Sequence, residues 1–364
     1  MSISFPRRDI TKFLISTPSS FSGICTSENY YLIEANDNHR KTSYSARTDE
    51  RIFRQYLELA VETPEYDGKS LIIPDYTHIS DNFCIAMSVL FGKRFDSHGL
   101  LQQHGRGYVP VMDGGNEIYN KNLCFNSLEP RSNYRVSLDL ANFKKIQKVI
   151  FEQEENLKPA QEAFLYAGRF YAQSLRQVET SPEIAFLSLI TVGEILSSYF
   201  KYPIKELIDQ DTVRLLTELR QIENIGEKLA KKVEKKLGGI SEAFCKYFLE
   251  CLDDDFFNNP EAENAYEQLK KEDIKQRLKA AYNIRSVFVH TGKFHSNWMS
   301  VNHFHNNEEV INGNPVIGSK ETEKMIKRSP TFLGMERIMR YGLLMFLVST
   351  KIVDNFNVEE SYNS

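Results

Sequence analysis

Between Glu183 and Lys201 the run IAFLSLITVGEILSSYF carries a single charged residue, Glu194. Ser181-Pro182-Glu183 in front of it reads as an N-cap, a first-turn proline and an acidic residue, so the run starts as a helix. A helix that is apolar on every side has no face for water and must be wrapped by other elements. The carboxylate inside it then needs a cation or hydrogen-bond donors, because an unpaired buried charge is too costly.

The chain on either side supplies the wrapping. A helix opens near Pro159 and runs through AFLYAGRFYAQSLRQV, with its proline well placed in a first turn. Further helices are predicted over Thr212–Glu223, over Gly226–Leu237 (closed by Gly238-Gly239), over Ser241–Leu252, and from Phe332 to about Asp354. The apolar run Tyr341–Thr350, bounded by Arg340 and Lys351, is too short to span a bilayer and reads as a buried helix. Residues 151–364 are therefore expected to form an all-α up-and-down bundle interrupted by one insertion, 293–328.

Before residue 150 the texture differs. KFLIS, NYYLIEA, SLIIPDY, YVPV and YRVSLDL are short β-rich stretches separated by turn-rich segments. Asp49–Glu62 and Asn82–Phe91 look helical. The expectation for residues 1–150 is an α+β domain of unknown role, a sensor or an RNA-binding module. The glycines of GRGYVP and DGGN are not followed by a helix start and read as turns, not phosphate loops.

Composition narrows the function classes. The chain of 364 residues has 41% hydrophobic and 26% charged residues and a net charge of −4. Any nucleic-acid surface must then be a local basic patch. Cys25, Cys84, Cys124, Cys245 and Cys251 are odd in number, without a CxxC, which fits reduced thiols in a cytoplasmic setting. MSISFPRRDITKF has no apolar core of a secretory signal, which points the same way.

From Asp273 the chain places Ile274, Leu278, Ala281, Tyr282, Phe288 and Val289 at helical intervals, the stripe of a core-facing helix. Arg285 falls inside that stripe. His290 follows five residues on, and Thr291-Gly292 form a plausible stop. A guanidinium on such a stripe is either paired or lines a cleft. Glu194 is the natural partner, by bidentate bonds. The other reading of Glu194 is that it accepts from backbone or tyrosine hydroxyl groups.

The segment Arg285-Ser286-Val287-Phe288-Val289-His290 resembles the R-x4–6-H motif of HEPN ribonucleases. Its setting, entering as KAAYNIRS and leaving as VHTG, is most similar to the Apea-like branch. Ser286 stands where many HEPN members carry Asn, Asp or His. The resemblance spans about residues 156–356 and implies a helical bundle. It further implies a metal-independent endoribonuclease without a cofactor, acting as a toxin-like effector in prokaryotic antiviral or stress defence. In that chemistry the ribose 2′-hydroxyl attacks phosphorus, His290 carries protons, and Arg285 stabilises charge on the phosphoryl oxygens. Ser286 either bonds a phosphate or back-bonds to its own helix. Residues five apart lie about 140° apart around an ideal helix, so one copy aims both groups at one point poorly. HEPN enzymes pair two copies across a twofold axis, and a homodimer through the helical domain is expected.

Lys228, Lys231, Lys232, Lys235 and Lys236 share one helix face, with Ile225, Leu229, Val233 and Leu237 on the other. This is an RNA-tracking ridge or a solvated helix with Lys–Glu pairs. Lys293, just past the motif, joins the RNA-binding candidates. IENIGEKLAKKV also resembles a helix-hairpin-helix element of DNA-binding proteins, with Asn224 in place of its first glycine, a substitution asparagine can bear in a left-handed turn. His295, His303 and His305 lack the cysteine or acidic ligands that complete a zinc set. Trp298 and Phe304 either stack on RNA or pack the insertion. Three functions follow: the ribonuclease, a catalytically silent HEPN module binding nucleotide, RNA or a partner, and a DNA-binding protein working through residues 222–233.

Overall fold

The computed structural model describes residues 8–35, 54–65, 74–109, 123–132, 136–151, 154–237, 239–293, 306–310 and 315–356. These form two compact units, residues 1–157 with 351–364, and residues 158–350. Residues 351–356, expected with the helices, thus group with the first unit.

The first unit is built on a six-stranded antiparallel sheet in the order β2-β3-β4-β1-β5-β6. The strands are β1 (Arg8–Thr17), β2 (Cys25–Thr26), β3 (Tyr30–Glu34), β4 (Gln55–Pro64), β5 (Asp96–Gln103) and β6 (Arg106–Gly107). β1 and β4 run in register, with Phe13 opposite Leu59 and Ile15 opposite Leu57. All four of these side chains are buried. On the other face Glu58 pairs with Lys12 at 2.8 Å and accepts from Tyr31 at 2.9 Å, while Leu14 and Ala60 on that same face are buried, so the middle of β1 and β4 is covered on both sides. Helix α1 (Thr77–Phe91) is buried without a break from Phe83 to Phe91 and packs on β1 and β5. Phe83, Phe143, Phe151 and Tyr30 interlock beside it, with ring centroids 4.7–5.7 Å apart for Phe83 against the other three.

The expected helix at Asp49–Glu62 is corrected here: residues 55–64 are β4. Leu, Glu and Ala favour a helix locally, but β4 sits between β3 and β1 and its ladders on both sides override that preference. KFLIS and YYLIE are strands as expected. The described part of YRVSLDL, from Val136, forms no named strand and leads into a 3-10 turn at Leu140–Lys145; Tyr134 and Arg135 lie outside the described residues. SLII of SLIIPDY, the second half of YVPV, and DGGN lie outside the described residues. Gly105 serves the β5–β6 hairpin as a turn residue, with His104 and Gly105 at φ 50° and 71°.

The second unit is helical: α2 (Lys148–Phe151) precedes it, and α3 (Lys158–Gln177) opens it. There follow α4 (Pro182–Tyr199), α5 (Ile204–Leu207), α6 (Gln210–Arg220), α7 (Gly226–Leu237), α8 (Ile240–Cys251), α9 (Asp254–Asn258) and α10 (Ile274–Thr291). α11 (Lys320–Arg328) and α12 (Phe332–Ser349) complete it, and α11 lies within the insertion, where no helix was expected. α4 is the hub, in contact with α3, α8, α10 and α12. No described helix is long and apolar enough to cross a membrane.

The insertion is held by a buried ion pair. Glu308 and Arg337 of α12 are 1% and 2% exposed and meet at 2.9 Å. Glu308 also accepts from the backbone N–H groups of Glu261 (2.8 Å) and Leu269 (3.0 Å). Arg337 donates to the carbonyls of Phe256 and Asn259 and stacks 3.9 Å over the Phe256 ring. Gly334 lets the Glu308 carbonyl approach, since a Cβ there would lie 2.3 Å from that oxygen. Next door, Glu309 reaches Arg277 of α10 at 2.7 Å, so two successive carboxylates tie the insertion to α12 and to α10.

Glu308→Ala leaves Arg337 buried without its counter-charge and is expected to cost about 3–5 kcal/mol. Urea unfolding checks this, and a loss below about 1 kcal/mol would contradict it. Burial pushes the Glu309 carboxyl above its ordinary value of 4.5, against the pull of Arg277. A carboxyl raised by folding adds stability while protonated and loses it as pH climbs through the raised value. Glu309→Gln should therefore match the wild type at about pH 4 and melt higher at about pH 7. A lower Tm at the higher pH would mean that the Arg277 pair outweighs burial.

Candidate active site on helix α10

α10 buries Ile274, Leu278 and Ala281 of the expected stripe, with Ala280 and Ile284 outside it also buried and Tyr282 half-buried. Beyond Ile284 the burial ends. Phe288 is half-buried and Val289 is 55% exposed, so the stripe was read one turn too far. Residues 285–288 are half-buried, and only from Val289 on are the side chains exposed. Gly292, at φ 67°, closes the helix through its N–H on the Phe288 carbonyl at 2.8 Å, the left-handed stop expected for Thr291-Gly292.

Arg285 and Glu194 meet, but not as a fork. Arg285 Nη2 donates to Glu194 Oε2 at 3.2 Å, and the other carboxylate oxygen, Oε1, accepts from the Tyr282 hydroxyl at 2.9 Å. Both sequence readings of Glu194 hold at once, and the bidentate bond is corrected to a single one. The physical reason is that Tyr282 lies one turn before Arg285 on the same face and reaches the carboxylate first. Glu194 is not fully buried either: its side chain is 16% exposed and that of Arg285 29%. The guanidinium lies 5.8 Å from the centre of the Tyr282 ring.

The close packing of α4 on α8 sets this arrangement. A Cβ at Gly193 would fall 2.3 Å from the Phe244 ring and 2.7 Å from that of Phe248, so only glycine fits. Phe244 in turn lies 5.6 Å from Tyr282, centroid to centroid. Burial of Tyr282, then its bond to Glu194, pushes its pKa up to about 12. It therefore remains a hydroxyl donor at neutral pH. Sequence reasoning counted Tyr282 only as core and missed its bond to Glu194; its spacing of three from Arg285 was the available signal.

His290 is exposed, five residues beyond Arg285 on the same helix. An ideal helix sets the two about 7–8 Å apart along its axis and about 140° around it. Ser286 is half-buried, and Lys293, past the cap, is exposed with its N–H on Thr291 Oγ1 at 3.2 Å. Arg285 and Glu194 are thus brought together, while His290 and Lys293 occupy the open end of the helix.

The lysine candidates sit elsewhere, on a hairpin of α6 against α7. Lys228, Lys231 and Lys232 are exposed; the side chains of Lys235 and Lys236 lie outside the described residues. The expected separation of faces is corrected: Ile225 is 55% exposed and Leu229 is also exposed, while Gly226 and Ala230 are the buried positions. Among the described elements α6 is the main neighbour of α7, and one helix covers only a narrow strip. Lys231 pairs with Glu227 at 3.3 Å, and Arg220 takes Glu227 and Glu234, so part of the ridge is a solvated ion-pair network. Asn224 adopts φ 66°, the left-handed turn expected of it. His295, His303, His305, Trp298 and Phe304 lie outside the described residues.

Comparison with known proteins gives no match, whether to a family model, a curated protein or a solved structure.

Proposed function

We propose that this chain is a metal-independent endoribonuclease of the HEPN type. The observation that carries the reading is a half-committed guanidinium. Arg285 is gripped at one nitrogen by Glu194, partly exposed, and shares its helix with an exposed His290. A cation held in place but not neutralised by a fork is suited to a phosphate. The imidazole takes the proton of the ribose 2′-hydroxyl as that oxygen bonds phosphorus. The P–O5′ bond breaks, and the proton is returned to the leaving oxygen, giving a 2′,3′-cyclic phosphate and a 5′-hydroxyl. Ser286 and Lys293 border this path as phosphate contacts. The likeness of Arg285–His290 to the Apea-like motif supports a role as a toxin-like effector in prokaryotic defence.

A second reading, nucleic-acid binding through residues 222–233, is favoured by Asn224 at φ 66° and by the tight seat of Gly226, whose Cβ would meet the Leu219 carbonyl at 2.2 Å. A silent HEPN module that binds a nucleotide, RNA or a protein partner is the third.

Arg285→Ala and His290→Ala are each expected to abolish cleavage of RNA in EDTA. For His290→Ala, an exposed position, stability should stay within about 0.5 kcal/mol. DNA of the same sequence should be inert, because it lacks the nucleophile. Full activity of His290→Ala would exclude the mechanism, and cutting of DNA that depends on magnesium would favour the hairpin reading instead.

The angular separation of Arg285 and His290 further implies that two copies complete one site. Sedimentation at micromolar concentration should give twice the monomer mass. Val289→Asp, one turn past Arg285 on its face, should shift the protein to monomer and remove activity together. An active protein that sediments only as monomer would end the two-copy site.

A further inference from the structure

The two oxygens of Glu194 have different partners, and the difference has a chemical consequence. Oε2 faces the Arg285 guanidinium at 3.2 Å, a long contact for an ion pair. Oε1 is taken by the Tyr282 hydroxyl at the shorter distance of 2.9 Å. Among the described residues, Nε and Nη1 of Arg285 have no hydrogen-bond partner. A hydroxyl donor draws charge toward the oxygen it binds and fixes the plane of the carboxylate. The arginine then feels less than a full counter-charge.

We propose that Tyr282 is a positioning residue that keeps Glu194 from neutralising Arg285, and so preserves the guanidinium for a substrate phosphate. The proposal rests on the ribonuclease reading and adds a residue to it. Without the hydroxyl, Glu194 is free to turn and engage Arg285 through both oxygens, the geometry that carboxylate and guanidinium prefer. Removing one oxygen atom from Tyr282 would thereby tighten an ion pair and weaken the site. The ring serves a separate purpose: it packs on Phe244 and underlies Arg285. Tyr282→Phe keeps the ring and isolates the hydroxyl.

The test uses the full chain and a 2′-O-methyl oligoribonucleotide, which retains the phosphates but cannot be cleaved. Its Kd is measured by fluorescence anisotropy for wild type, Arg285→Ala, Tyr282→Phe, Glu194→Gln and the Tyr282→Phe/Glu194→Gln double variant. Tyr282→Phe should weaken binding about three- to ten-fold, the size of one hydrogen bond's net effect. In the Glu194→Gln background the same change should do almost nothing, because its path runs through the carboxylate. With substrate RNA the loss should fall on KM more than on kcat.

A second readout needs no ligand. Rotation of the Arg285 guanidinium about its Cζ–Nε bond, followed by 15N NMR, should be slower in Tyr282→Phe than in wild type. Unchanged Kd and unchanged rotation in Tyr282→Phe, with Arg285→Ala defective, would overturn the proposal and leave the ribonuclease reading standing. Wild-type affinity in Arg285→Ala would overturn both, since the phosphate would then bind elsewhere.

Discussion

The absence of a side chain at Gly193 governs the helical unit. It lets α4 lie against the rings of Phe244 and Phe248 at a distance no other residue permits, and that approach puts the next residue, Glu194, beside α10. A carboxylate so placed cannot remain without donors, and α10 supplies two of them three residues apart. Packing density thus decides electrostatics here: the position of one methylene's worth of volume determines which charges meet.

Much of this was legible locally. The all-round apolar character of α4, the stop at Thr291-Gly292 and the left-handed Asn224 each depend on residues within a turn or two of one another, and sequence carries such information directly. The contact of Glu194 with Arg285 was legible for a different reason: a lone charge in an apolar helix advertises its need for a partner. The partner's geometry was not. Whether a carboxylate forks onto arginine or divides between two donors depends on ångström-scale placement that spacing does not encode.

The failures are non-local in the same sense. β4 has a composition that suits a helix, and only its two ladders, to β1 and β3, make it a strand. Glu308 was invisible as an anchor because its partners, Glu261, Leu269 and Arg337, are spread across two segments that meet only after folding. The end of the α10 stripe was overread because periodicity tells which face is apolar, not how far along the helix that face is covered.

The dense polar linkage of α12 bears on the order in which the chain assembles during synthesis. Three charged residues of that helix, Glu336, Arg337 and Arg340, are buried. Tyr171 donates to Glu336 across 165 residues of sequence, and Arg337 reaches Phe256 across 81. Tyr247 waits for the carbonyl of Gly342. Until α12 leaves the ribosome, α3, α8 and the Glu308 segment each hold polar groups without their native partners. The helical unit is therefore expected to complete its packing only when these long-range contacts become available. On the ribonuclease reading proposed above, that timing would keep the site unformed until translation of the helix is finished.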